Sequence, residues 1–221
     1  MVKRLAVLGT IALILAAVVI VAGWKEPIPV AEGCAPADHK YTGVKKCAMC
    51  HKSEKKGNQH GQWAASKHSK AYEVLATAAA KETGKKAGVD DPQKSEKCLK
   101  CHVTGYALLQ TNKELFGESF KIEDGVQCES CHGAGGDYGK KNIMENKEES
   151  IKNGMILPDG TTCRKCHNEE SPGYKPFCFK RYFAKIAHPN PESKGGKKPE
   201  CDCAKDDAGK CKDACKDECN K

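Results

Sequence analysis

Four pentapeptides of the form C-x-x-C-H punctuate this chain: Cys47-Ala-Met-Cys50-His51, Cys98-Leu-Lys-Cys101-His102, Cys128-Glu-Ser-Cys131-His132 and Cys163-Arg-Lys-Cys166-His167. On one helical turn the two cysteines project to the same side, where they can form thioethers to the vinyl groups of a c-type heme. The next residue, histidine, is then placed to bind the iron from one face. The motifs take eight of the fifteen cysteines and four of the eight histidines. Zinc knuckles also use paired C-x-x-C, but they do not need a histidine directly after every second cysteine. The residues therefore predict four covalently attached heme c groups, and any fold must be built around them.

Composition agrees with a wrapper. Aromatic residues make up 6% and charged residues 30% of 221 positions, a thin supply for a protein core. Four porphyrins would be the largest apolar bodies present. The expected fold is mainly α with long irregular loops, a multiheme cytochrome whose polypeptide wraps around four covalent hemes. The formal charge of +8 resembles a nucleic-acid footprint, but two propionates per heme would add about −8 and bring the molecule near neutrality. No nucleic-acid motif accompanies the lysines, so nucleic acid is not expected as a partner.

Residues 1–23 open with Lys3-Arg4, and residues 5–23 carry no charge. This run is longer than a usual signal-peptide core and approaches the roughly 20 residues that span a bilayer. A cleaved signal peptide and a retained membrane anchor both fit, with small residues at Ala22 and Gly23 for cleavage. Cys34 follows too poor a sequence to be a lipid-attachment site. Either reading exports the domain, to the periplasm or the outer face of the cytoplasmic membrane. Residues 24–40 read as a linker, 41–198 as the tetraheme domain and 199–221 as a Cys/Lys/Asp-rich tail. The tail carries Cys201, Cys203, Cys211, Cys215 and Cys219, none followed by histidine. It fits either a disulfide-tied or disordered segment or a thiolate metal site. With Cys34 and Cys178, an odd number of cysteines lies outside the motifs.

Periodicity predicts a long helix over residues 59–86, with Trp63, Ala64, Ala71, Val74, Leu75 and Ala78 at three- and four-residue steps. Gly88 to Pro92 ends it. Residues 106–110 and 119–123 read as a short extended pair. The glycines at 133–136 lack the preceding strand of a dinucleotide fingerprint, and close approach of backbone to heme explains them better. Residues 142–153 predict a charged helix stopped by Gly154. After a turn at Leu157-Pro-Asp-Gly160 comes a last helix over 176–188, with Phe177, Ala184 and His188 on one side. First cysteines at 47, 98, 128 and 163 are too unevenly spaced for a solenoid.

Beyond the four proximal histidines, His39, His60, His68 and His188 remain for the second axial positions. Two histidines per iron suit an electron carrier, whereas an open position suits binding or reduction of a small molecule. Several stretches resemble the tetraheme cytochrome c-554 family: Gly43-Val-Lys-Lys-Cys47 with His51-Lys52, Trp63-Ala-Ala-Ser-Lys-His68-Ser-Lys-Ala71, Cys98 to Gly105, and Gly125-Val-Gln-Cys-Glu-Ser-Cys-His-Gly133. The likeness covers residues 41–136 well and continues loosely to His188. It implies that His68 ligates the third heme opposite His132, that His188 ligates the fourth opposite His167, and that the second heme, on His102, is five-coordinate. The family takes the first heme's distal histidine from the loop after the third motif, yet residues 134–149 here contain no histidine. His39 is the first substitute, with His60 and Met144 as alternatives. His39 or His60 could equally fill the second heme or serve a neighbouring subunit.

The reading that results is an exported tetraheme electron carrier rather than an enzyme. Its partners would be redox proteins, either other cytochromes or a membrane quinol or dehydrogenase complex, and oligomers remain open. The rivals are reduction of a small nitrogen oxide at a five-coordinate heme, for which no acid/base constellation is evident, and a conducting filament built from shared histidines.

Overall fold

The computed structural model describes residues 39–192. The apolar segment 1–23, Cys34, the 24–40 linker up to residue 38 and the Cys-rich tail lie outside the described residues. Within them the chain folds as ten short α-helices joined by 3-10 turns and irregular loops. These are α1 (Val44–His51), α2 (Gln59–Ala64), α3 (Ala78–Lys86), α4 (Glu96–His102), α5 (Tyr106–Thr111), α6 (Cys128–His132), α7 (Lys141–Met144), α8 (Lys147–Lys152), α9 (Gly160–Arg164) and α10 (Phe179–Ile186). The β structure among the described residues is a single bridge between Tyr41 and Phe116. No described helix is long and apolar enough to cross a membrane. The expected class, mainly α with long irregular loops, is the class found.

Several helices are shorter than their periodicity suggests, and the reasons are local. The single helix expected over residues 59–86 breaks into α2, two 3-10 turns (His68–Lys70 and Glu73–Ala76) and α3. Ser69 Oγ donates to the carbonyls of Ala64 and Ser66 at 2.9 Å, offering the backbone a partner outside the helical ladder. Thr77 is extended, and its hydroxyl accepts from Ala80 N to start α3 afresh. Two carbonyls freed by the break serve tertiary contacts: His68 O accepts from Val126 N at 3.0 Å, and Ala71 O accepts from His102 Nδ1.

The extended pair at 106–110 and 119–123 does not form. Gly105, left-handed at φ 63°, instead opens α5. Residues 142–153 divide into α7 and α8 because the Asn146 side chain caps the second piece, accepting from Glu148 N and Glu149 N. The last helix begins only at Phe179 and ends at Ile186, so Phe177 and His188 flank it rather than share its face.

Two kinds of interior hold these pieces together. Around the second motif, Leu75, Leu99 and Val103 form an apolar cluster flanked by Tyr72, Cys98, Tyr106 and Ile122, each buried aliphatic side chain contributing about 1.5–3 kcal/mol. Between the first and third motifs the interior is polar: Gln127 and Thr104 are 1% exposed and Glu129 2%. Gln127 Oε1 accepts from Val44 N at 2.8 Å, and Glu129 accepts from Thr42 N and Gly43 N at 2.8 Å. The backbone donors at the start of α1, orphaned by helix geometry, are thus capped by side chains of the third motif. Thr104 Oγ1 completes the block, accepting from Gln127 N at 2.8 Å and bonding Ser130 Oγ at 2.8 Å.

The glycine run after the third motif serves chain-to-chain contact. A Cβ on Gly136 would lie 2.8 Å from Lys40 O, and one on Gly133 would lie 2.4 Å from Gly154 O. Close backbone approach is what these glycines permit, but the backbone they admit belongs to residues 40 and 154.

Candidate heme-binding site

Each motif sits on a helical turn. α1 carries Cys47, Cys50 and His51, α4 carries Cys98, Cys101 and His102, and α6 carries Cys128, Cys131 and His132. α9 holds Cys163 and continues through Cys166 N and His167 N, both bonded to Cys163 O. Asp159 starts that turn with a reciprocal capping box to Thr162.

The thiols meet across motifs. Cys47 lies beside Cys128, and Cys101 beside Cys166. Burial disfavours ionisation of all four of these thiols. Burial, and then the Cys163 thiol, push Cys131 up to about 11. The attachment points therefore follow one another as first, third, fourth, second, an order the sequence does not display.

The histidines form two facing pairs. The His68 and His167 ring centroids are 6.2 Å apart at 61°, and those of His132 and His188 are 6.1 Å apart at 70°. Two imidazoles bound to opposite sides of one metal at about 2.0–2.1 Å each would have centroids roughly 6 Å apart. Among the described residues no group of three or more His, Cys, Asp or Glu converges as a metal site. Each pair thus offers only two axial nitrogens, the complement that a porphyrin leaves unfilled.

The pairing differs from the one the family resemblance implied. His68 faces His167 rather than His132, and His188 faces His132 rather than His167. The His68 backbone is tied to the third motif through Val126 N, and Gly125 (φ 66°) packs against His68 O. With the main chain held there, the ring reaches across to the fourth motif.

Backbone carbonyls orient the rings. His102 Nδ1 donates to Ala71 O, His132 Nδ1 to Ile156 O at 3.2 Å and His188 Nδ1 to Ile186 O at 2.8 Å. A carbonyl only accepts, so Nδ1 carries the proton and Nε2 keeps its lone pair for a metal. Burial, assisted by His167, lowers the pKa of His68. Burial also lowers His132, with His188 and His51 adding to the effect, and it lowers His167. Neutral imidazoles are the ligand form. These residues fit heme c.

His39 packs against the loop after the third motif. Its Nδ1 is 2.8 Å from Asp137 Oδ2, Lys40 O accepts from Gly136 N at 2.8 Å, and the imidazole packs on Gly154, whose missing Cβ would fall 2.5 Å from Cδ2. His60 turns toward Trp63, with centroids 5.6 Å apart, and Met144 ends α7. Phe177, expected beside His188, stacks on His167 at 4.6 Å and 12°. Sequence reasoning passed over Asp137, Gln127, Glu129 and the carbonyls of Ala71 and Ile156. Only Glu129, inside a motif, carried any signal.

A family model described as cytochrome c554 and c-prime matches residues 46–133. Cytochrome c-554 of Nitrosomonas europaea is 32% identical over 145 residues, spanning 59% of this chain and 59% of the relative. This chain therefore covers less than two thirds of that relative's length. The solved reduced state of cytochrome c554 from Nitrosomonas europaea shares 30% identity, covering 68% of this chain and 79% of that one, with a TM-score of 0.44. The four attachment motifs, the specific blocks around the first three of them and this sequence identity agree: the chain belongs to the cytochrome c-554 family.

Proposed function

We propose that this protein is an exported tetraheme c-type cytochrome that carries electrons singly between redox partner proteins of a respiratory chain, in the periplasm or on the outer face of the cytoplasmic membrane. The observation that carries this reading is the pair of facing histidine couples, His68 with His167 and His132 with His188, each with the separation of two axial ligands. Bound heme supplies the one-electron iron couple. The polypeptide holds both rings of a couple in place, so that oxidation state changes with little rearrangement. The cross-motif thiol pairs Cys47–Cys128 and Cys101–Cys166 bring successive attachment points together. Cytochromes or a membrane quinol or dehydrogenase complex are the partners this reading expects.

For the first motif, His39 is the distal ligand we assign. The Asp137 carboxylate on Nδ1 leaves Nε2 for iron, as acidic partners commonly do for metal-bound histidine. That bond within the chain also argues against lending His39 to a neighbouring subunit, and so against a histidine-shared filament. A second reading, reduction of a small nitrogen oxide, draws on His102, whose motif contributes to neither ring couple. The sequence offers no acid/base constellation for it, so we favour a carrier with an open second heme.

Mass spectrometry of the denatured protein should find four covalent hemes; fewer would defeat the tetraheme reading. His68→Ala and His188→Ala should each convert one low-spin heme to high-spin by EPR. An unchanged spectrum in either variant would remove that histidine from the ligand set. When Cys163 and Cys166 are also serine, His68→Ala should change nothing further, whereas a second loss would return His68 to the third heme. Carbon monoxide should bind one heme of the reduced protein without sustained turnover of nitric oxide.

A further inference from the structure

Glu129 is the second residue of the third motif, and its carboxylate is 2% exposed. Oε1 accepts from Gly135 N at 2.7 Å, Thr42 N at 2.8 Å and Thr42 Oγ1 at 3.3 Å, and Oε2 accepts from Gly43 N at 2.8 Å. Four donors converging on two oxygens suit an acceptor-only carboxylate; a protonated acid would turn its own O–H against them. The four donors are neutral, so they stabilise the charge without cancelling it.

The position of this charge is unusual. Glu129 follows Cys128, an attachment residue of the third motif. Through Gly43 it also reaches the first motif, because Gly43 N donates to Glu129 while Gly43 O lies 4.0 Å from Cys47 Sγ. One buried anion therefore stands beside the attachment sulfurs of two motifs.

We propose that Glu129 is a fixed negative charge shared by the hemes of the first and third motifs, holding both reduction potentials down while it docks α1 onto α6. A negative charge in a low-dielectric interior favours the more positive oxidation state of nearby iron, and burial is one of the levers by which a protein sets heme potential. The second and fourth motifs make no hydrogen bond to this carboxylate, so the proposal gives them the smaller effect. Glu129 acts as a positioning residue, and its field divides one protein into a low-potential and a high-potential half. This rests on heme c occupying the first and third motifs.

The test is spectroelectrochemical titration of the holoprotein after heme count and low-spin spectrum have been verified. In Glu129→Gln, two of the four midpoint potentials should rise, by a tenfold change in the one-electron equilibrium or about 59 mV, with the other two moving less. Glu129→Asp keeps the charge and should leave the potentials near their original values even if it melts earlier. Thr42→Val removes one donor dipole from the anion and should move the same two potentials downward, a sign that loosened packing would not produce. Should Glu129→Gln fail to retain heme, the Asp and Val variants decide alone. Unchanged potentials in a fully loaded Glu129→Gln, equal shifts in the Gln and Asp variants, or an upward shift in Thr42→Val would each overturn the proposal. A native protein lacking heme at the first or third motif would instead refute the tetraheme reading.

Discussion

The first and third motifs are joined by hydrogen bonds, whereas the fourth is held by rings. Where α1 meets α6, buried Gln127, Glu129 and Thr104 each answer particular backbone or hydroxyl groups at about 2.7–3.3 Å. Around the fourth motif, His167 stacks on Phe177, Phe177 on Tyr182 at 5.2 Å, and Phe179 on Phe183 at 5.0 Å. Directional bonds admit few substitutes, because a changed side chain strands a buried donor. Stacked rings admit many arrangements of similar energy. The family match runs through residues 46–133 and stops before the fourth motif.

The comparison breaks most sharply at Gln127. Gln127→Ala would strand Val44 N and Lys121 O, its two partners, at a cost of about 2–5 kcal/mol. Urea unfolding should show that loss, with axial ligation at the first and third motifs failing at lower urea than at the fourth. If ligation at the fourth motif failed first instead, the division would be wrong.

Phe177→Ala should cost somewhat less, about 3 kcal/mol, through lost burial and stacking. Its effect should stay local. Hydrogen exchange should speed up across residues 160–190 while the amides of Thr42, Gly43 and Val44 keep their protection. Faster exchange at those three amides would mean that the two regions form one cooperative unit.

The smallest expected effect concerns His39 and Asp137. The His39 hydrogen bond, and then that of Lys140, holds the Asp137 carboxyl below the ordinary range. A depressed folded value means that its stabilisation is fully present above the unfolded value of about 3.9 and fades as pH falls through the folded value. Asp137→Asn should therefore melt slightly below the native protein at neutral pH, with the difference vanishing in acid. A difference that persisted or grew in acid would remove the carboxylate from the account.

What was legible in the sequence was chemistry fixed by residue type and short spacing. Both cysteines and the histidine of a motif lie within one turn, so their placement needed no tertiary knowledge. Helix lengths were less legible, because Ser69 and Thr77 divert backbone groups that periodicity counts as helical. The histidine pairing was least legible. It depends on where Val126 fastens the His68 backbone, a contact spanning 58 positions that no local pattern records. His39 stood out in the sequence only as a histidine left over, and its Asp137 partner had no sequence mark at all.

The contact between the Cys47 and Cys128 thiols, repeated by Cys101 and Cys166, bears on the biogenesis of this molecule. A thiol beside a thiol is one two-electron oxidation away from a cross-link, and under the export proposed above the chain would meet oxidants as it folds. Each such bridge would tie up one attachment cysteine in each of two motifs, so a single wrong bond would block two cofactors. Folding ahead of cofactor attachment would thus be hazardous for this chain. A supply of reductant during maturation is the condition under which its compact arrangement can be assembled.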